Sequence, residues 1–400
     1  VGLTPVEEAQ GLILGLVPVL PSEEVELDRA LGAVLAEPLR SDEPVPGFTN
    51  SAMDGYAVRA ADTTDAPVAL RVAGATPAGP GDARRVGPGE AVRIMTGAPL
   101  PDGADAVVMV EHTRTEGGVV HVERTVGPGS AVRRPGEDVR VGDLVGSPGT
   151  ELTPSRVALL ASVGIDRVIA HRRPRVGVLA TGDELVRSGG PLGPGQIRDS
   201  SSVLVRGLAL ESGADVVDLG MATDDEPSLH EAVLRGTDTC DVVVTTGGAS
   251  VGDRDLLRVV IGELGVVHWL QVACKPAKPL VAGAVDGTPV LGLPGNPVSA
   301  MVAFELFARP TIRRLAGHTD LHRPLVEAVA PDGLARRRDG KVHYVRVVAE
   351  PDGNGRWSVR LAGGQRSHQL AALADANGLA VVPDGDGLAP GSSVPVMLLG

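Results

Sequence analysis

Apolar residues recur at helical spacing in "TPVEEAQGLILGLV" (4–17), where Thr4 is placed to cap, Pro5 to open the first turn and Glu7 to complete a capping box. "LDRALGAVLAEPLR" (27–40) predicts a second helix, stopped before Pro38, and "TPSRVALLASVGI" (153–165) repeats the Thr-Pro start at Thr153. Between about Pro44 and Arg134 the texture changes to short Val-rich runs separated by Gly/Pro pairs, as in "GPGEAVRIMTGAPLPDGADAVVMVE", which predicts a β-rich module inserted into the helical one. From "RPRVGVLATGDEL" to "RRLAG" strands alternate with helices. "RVGVLA", "ADVVDLG", "CDVVVTT" and "TPVLGL" are separated by "SSVLVRGLALESG", "PSLHEAVLRG" and "RDLLRVVIGELG", and "SAMVAFELFARPTIRRLAG" follows. That alternation predicts a mostly parallel sheet covered on both faces. After about His318, short strands with Gly-rich turns predict a small barrel or sandwich.

Composition narrows this picture. A chain of 400 residues exceeds what one hydrophobic core organises, so two to four domains are expected, and with aromatics at 2% their cores must be built from Val, Ala and Leu. The formal charge of −13 excludes a general nucleic-acid binder but not a small anionic ligand held by local lysines or helix N-termini. Cys240 and Cys274 fit neither a disulfide framework nor a paired-cysteine metal site and read as two buried thiols. The apolar stretch "GLILGLVPVL" is too short to span a bilayer and is flanked by acids where a signal peptide needs positive charge. The expectation is a soluble cytoplasmic protein with no membrane or nucleic-acid partner.

In open α/β sheets ligands bind beyond the carboxyl ends of the strands, and four such ends here are unusual. One carries Thr181-Gly182-Asp183-Glu184 and another "TGGASVGDRD" (246–255). "QVACKPAKP" brings Lys275 and Lys278 together, and "GLPGNPVS" sets Pro294, Gly295, Asn296 and Pro297 between a strand and a helix that Asn296 or Ser299 could cap. Alone, each has a structural reading: a turn at the glycines, a solvated helix start at Asp183-Glu184, rigid loop prolines, surface lysines. Together, acids, glycines and lysines on successive strand ends suit a pocket for an anion and a metal. A second concentration lies in the β-rich insertion, with Asp54 before Gly55, Thr96 and Gly97 after a strand, and Arg133, Arg134, Glu137 and Asp138 in "RRPGEDV". Asp54-Gly55 reads equally as a hairpin turn, and the two arginines as a solvated pair.

"FTNSAMDGYAV", "RIMTGAPLPDGADAVV", "RRPGED", "TGDEL", "TGGASVGDRD", "KPAKP" and "GLPGNPVSA" occur in the order seen in the molybdopterin molybdenumtransferases, the MoeA and gephyrin E-domain family, which the whole chain resembles. The resemblance implies a multidomain α/β protein. A discontinuous helical linker domain would span 1–43 and 135–172, and an inserted β-rich domain 44–134. A mostly parallel α/β molybdopterin-binding domain would span 173–317, and a small C-terminal β-barrel 318–400. It implies an elongated homodimer that, with Mg2+, inserts molybdate into adenylylated molybdopterin and releases AMP, possible partners being other molybdenum-cofactor synthesis proteins. By the same resemblance, Asp183, Glu184, Asp224, Asp225 and Asp255 would lie near Mg2+, and Asp54, Thr96, Asp138, Glu184, Asp255, Lys275 and Lys278 would serve the reaction. Thr181, Gly182, Asp199, Ser200, Gly247, Gly248, Ser250, the Pro294–Pro297 wedge and Ser299 would bind the pterin, nucleotide or oxyanion, with Arg346 and Ser367 adding anion contacts from the last domain.

Three positions depart from the family pattern: Ser201 where many members carry asparagine, Leu256 where an aromatic is common, and Ala277 where glycine is usual. Ala277 disturbs its loop only if its φ is positive. The adenylate linkage is anionic, so a metal ion and lysines would offset charge developing on the departing phosphate, and soft dithiolene sulfurs would capture molybdenum. A non-catalytic scaffold of the gephyrin kind and a generic pterin- or nucleotide-binding protein are the competing readings.

Overall fold

The structure is a computed structural model that describes residues 2–79, 84–248, 256–353 and 355–399. Ser250 and Asp255 lie outside the described residues.

The α/β unit carries a six-stranded sheet. Its spatial order is Asp215–Ala222, Arg175–Thr181, Val242–Thr246, Thr288–Leu293, Pro279–Val285, Gly265–Gln271. The first four strands are parallel, and the fifth is antiparallel to both of its neighbours. Side chains alternate between two cores, as period-two strands require. Val176, Val178, Val242 and Val244 face one core with Val205, Ala209 and Met301, while Leu179 and Val243 face the other with Leu229, Val233, Leu257 and Ile261. The sheet is thus covered on both faces, and its four parallel strands are those the sequence pattern predicts. The antiparallel hairpin of Gly265–Gln271 and Pro279–Val285 was not foreseen, because its first strand follows the Leu256–Leu264 helix with no intervening turn residue other than the strand's own Gly265.

The long helix expected after the Pro294–Pro297 wedge forms in three parts: Pro297–Ala303, a π-helical turn Phe304–Ala308, and Arg309–Leu315. Pro310 has no N–H and its ring would meet a carbonyl one turn back, a conflict that a wide turn relieves. The Val6–Leu14 helix buries Val6, Ala9 and Ile13 against this segment. Its expected capping box is absent: Thr4 is tied by its main chain, donating to Gln271 O at 2.8 Å and accepting from Ala273 N at 2.7 Å, and Pro5 stands at the cap.

The helix expected over "LDRALGAVLAEPLR" does not form. A single 3-10 turn, Leu27–Arg29, gives way at Gly32 (φ 76°) to the buried strand Val34–Leu35, which pairs with Arg167–His171. Burial of Val34 and Leu35 in a sheet outweighs the helical spacing. The second Thr-Pro start is as expected, with the Thr153 hydroxyl accepting from Arg156 N and Pro154 opening Pro154–Ser162.

The insertion is a six-stranded sheet closed over Tyr56, Leu70, Val108 and Val120. Asp54-Gly55 is no hairpin turn there, since Gly55 begins a strand flanked by Ile94 and Met109. The C-terminal unit is a closed five-stranded barrel: Val342–Pro351, Trp357–Leu361, Leu325–Ala330, Ser392–Leu398 and Gly378–Val382, the last pairing back to the first. Cys274–Lys275, from the α/β unit, adds to that barrel sheet by parallel pairing with Val342–His343. No described helix is long and apolar enough to cross a membrane.

Candidate functional site

At the carboxyl ends of the parallel strands the backbone is crowded. Gly247 and Gly248 sit at φ 96° and 74°, and a Cβ on Gly247 would lie 2.5 Å from the Thr181 carbonyl oxygen. Only glycine fits there. Gly247 N–H donates to Leu293 O at 3.0 Å, Gly295 stands beside Gly247, and the Ser201 hydroxyl donates to Gly295 O at 2.7 Å. Ser201 therefore helps to hold the wedge. Pro294 and Gly295 lead into Asn296, extended at the cap position with no side-chain cap, and Pro297 opens the helix. The Val298 N–H donates to Ser367 O of the barrel at 3.2 Å. The two prolines and Asn296 thus shape a rigid loop that meshes with the neighbouring strand end and with the second unit. The Thr181 and Thr246 hydroxyls are buried there with no partner among the described residues.

The acids divide by role. Asp183 Oδ1 accepts from Asp224 N at 3.0 Å, which brings those two together, and Glu184 folds over Gly182. Asp225 instead caps the Glu226–Thr239 helix, accepting from Ser228 N at 2.9 Å and from the Thr223 hydroxyl, donors that hold its carboxyl below the usual range. Asp199 is buried and accepts from both the N–H and the hydroxyl of Ser202 in the first turn of the Ser201–Glu211 helix, with Ser200 beside it at the cap position. In the structure Asp225 and Asp199 each accept from the first turn of a helix. Among the described residues, no three His, Cys, Asp or Glu side chains converge as a metal centre.

Lys275 and Lys278 open onto a cavity of about 1210 Å3 between the α/β unit and the barrel, which Ser299 and Ser367 also line. The described residues lining it include seven Lys and Arg side chains (Lys275, Lys278, Arg336, Arg337, Arg338, Lys341 and Arg366) against one carboxylate, Asp339. In a chain of net charge −13, that is a concentrated positive field. The sequence reading missed every barrel cation in this wall. The run "ARRRDGKVH" (335–343) was the available signal, because a basic cluster stands out against an acidic whole.

Arg346 is not in the wall. It is 1% exposed beneath it, its guanidinium donating to Gly364 O and to Arg366 O at 3.2 Å, so it holds up the loop that carries Arg366 and Ser367. Burial lowers its pKa, and Nε and Nη1 have no partner among the described residues. Ala277 sits at φ 76°, so the condition under which this departure disturbs its loop is met. The loop is held despite the Cβ, by Cys274 Sγ donating to Ala277 O at 3.2 Å and Val272 N donating to Lys278 O at 2.7 Å.

In the insertion, Asp54 Oδ1 accepts from both the N–H (2.7 Å) and the hydroxyl (2.9 Å) of Thr96, which hold the carboxyl below its ordinary range. Half-exposed Met53 and Met95 lie next to this pair in sequence. Asp138 is exposed on the following loop, where its N–H donates to Val45 O. No hydrogen bond or ion pair among the described residues joins Asp54, Thr96 or Asp138 to the strand ends or to the junction cavity.

Comparison with known proteins agrees with this architecture. Residues 4–164 match the MoeA N-terminal region (domain I and II), 177–314 a probable molybdopterin binding domain, and 328–399 the MoeA C-terminal region (domain IV). The chain is 39% identical to the molybdopterin molybdenumtransferase of Haemophilus influenzae, over 89% of this chain and 88% of that one. It is also 39% identical to molybdopterin molybdenumtransferase 2 of Mycobacterium tuberculosis, over 95% of each. The structure superposes on the molybdopterin biosynthesis MoeA protein of Pyrococcus horikoshii OT3 with a TM-score of 0.82, covering 99% of this chain and 100% of that one at 30% identity. The chain belongs to the molybdopterin molybdenumtransferase (MoeA) family.

Proposed function

We propose that this protein transfers molybdate into adenylylated molybdopterin with release of AMP, and that the junction cavity is where the oxyanion binds. The observation that carries the reading is the excess of cations in that cavity on an otherwise acidic protein. Molybdate is a tetrahedral dianion, and ammonium groups and hydroxyls are the donors that suit it. Lys275 and Lys278 would draw it in, and Ser299 and Ser367, side by side where the two units meet, would orient it. The side-chain-free Gly247 and Gly248 would let the pterin or nucleotide approach the backbone beside Thr181 and Gly182, with the Pro294–Pro297 wedge forming the floor.

The donor set is consistent with Mg2+. That ion takes one or two carboxylates together with substrate phosphates and needs no all-protein cage. Asp183, through its second oxygen, and Asp224 beside it would hold it, with Glu184 and Asp255 as further candidates from sequence, and it would offset charge on the departing phosphate. Asp225 is better explained as a helix cap.

Among the described residues, no hydrogen bond or ion pair joins the Asp54–Thr96 pair to its own chain's cavity. A C2 homodimer in which the insertion of one protomer completes the site of the other would give the pair and Asp138 a role. A cytoplasmic location, and contact with other cofactor-synthesis proteins, follow from the same reading.

The test is AMP release from adenylylated molybdopterin, with and without molybdate, by the wild-type protein and by Lys275→Ala and Lys278→Ala. Molybdate-dependent release that both variants impair supports the proposal. Release that ignores molybdate, or that neither variant impairs, removes the cavity from the reaction.

A further inference from the structure

Asp339 is the one carboxylate among the described residues lining the junction cavity, and it touches nitrogen groups from both sides. Its Oδ1 accepts from Arg336 Nη2 at 2.9 Å, His343 Nε2 stands 3.1 and 3.2 Å from its two oxygens, and Oδ2 lies 3.3 Å from Lys341 Nζ. All of these partners belong to the barrel. Lys275, which the α/β chain contributes to the edge of the barrel sheet beside His343, places its Nζ 3.9 Å from the same Oδ2.

The two sides are unequal. Arg336 is anchored: its side chain is 2% exposed, and Nη1 donates to the carbonyls of Lys341, Val382 and Pro383. The Asp339 N–H donates to Asp384 Oδ1, which Arg336 Nη2 also reaches at 2.7 Å. The carboxylate is therefore fixed in place on the barrel. Lys275 is 60% exposed and beyond hydrogen-bonding distance of it, so this cation is the one free to change partners.

We propose that Asp339 is a resident counter-anion of the junction cavity, and that an incoming oxyanion dianion takes Lys275 away from it. This rests on the reading of the cavity as the oxyanion site. Asp339 would set the site's affinity and not merely position Lys275: it partly neutralises the lysine in the free protein and repels the dianion when bound. A mere positioning role predicts the opposite sign, because removing the carboxylate would then leave Lys275 less well placed and binding weaker.

The experiment is calorimetric titration of the full chain with sodium molybdate at low ionic strength. Asp339→Asn is expected to bind molybdate about tenfold more tightly than wild type, from loss of one nearby like charge. Asp339→Glu, which keeps the charge, is expected to stay near wild type. Unchanged or weaker binding by a folded Asp339→Asn overturns the inference. Should that variant not fold, a crystal structure of the wild-type protein with molybdate decides: Lys275 should have left Asp339 for the oxyanion, and a Lys275–Asp339 separation still near 3.9 Å overturns the inference. Lys275→Ala and Lys278→Ala separate the two levels. If neither weakens wild-type molybdate binding, the cavity reading fails and the inference with it; if they do and Asp339→Asn does not tighten it, only the role of Asp339 falls.

Discussion

The strand ends and the junction cavity are adjacent but built from different materials. At the strand ends the shape is made by main chain: two glycines at positive φ, a carbonyl too close for any Cβ, and a proline-flanked loop braced by Ser201. At the junction it is made by charge: seven cations from two units around one carboxylate, with side chains such as Lys275 largely in solvent. A site made of backbone is sensitive to steric change and belongs to the fold's stability. A site made of exposed charge can lose its function while the fold barely responds.

The sharpest way to break this comparison is Gly247→Ala. The new Cβ would lie 2.5 Å from the Thr181 carbonyl at a φ of 96°, so destabilisation of roughly 3 kcal/mol is expected from steric and backbone strain together. Denaturant unfolding checks this, and a loss under about 0.5 kcal/mol would show that the strand ends are looser than described. Next, Lys275→Ala and Lys278→Ala should each change unfolding free energy by less than about 0.5 kcal/mol while weakening molybdate binding roughly tenfold or more. If stability fell in step with affinity, the junction would be structural in the same sense as the strand ends. The smallest effect is at Ala277, a backbone position inside the charged region. Ala277→Gly should stabilise the protein by about 1 kcal/mol, by relieving the left-handed conformation. Loss of stability instead would mean that the packing of the buried Ala277 methyl outweighs its strain.

The same division explains what the sequence disclosed. The parallel strands were legible because each is a short stretch of 5–8 residues rich in Val and Leu that alternates with a helical segment, and the wedge because Pro294 and Pro297 can extend neither neighbour. The helix expected over 27–40 failed because its apolar spacing serves equally the buried pair Val34–Leu35, and only the partner strand 135 residues further on decides between them. Individual site residues were harder. Asp183 and Asp225 look alike in sequence, yet one has an oxygen to spare and the other closes a helix. Nothing in the sequence around Arg346 shows that it is buried beneath the wall, where it holds the loop that carries Arg366. The barrel cations stand out as a basic run, but nothing in the linear order says that "ARRRDGKVH" meets "KPAKP".

The parallel pairing of Cys274–Lys275 with Val342–His343 makes a two-residue piece of the α/β chain a strand of the barrel. Ownership of the lysine is therefore divided: its covalent neighbours lie in one unit and its ladder partners in the other. An α/β unit produced on its own would keep Lys275 and Lys278 but lose the surface that fixes their direction, and an isolated barrel would keep its arginines around a carboxylate with nothing opposite. If the cavity takes the oxyanion as proposed, anion recognition is a property of the seam, and a change in how the two units meet would be registered first at Lys275.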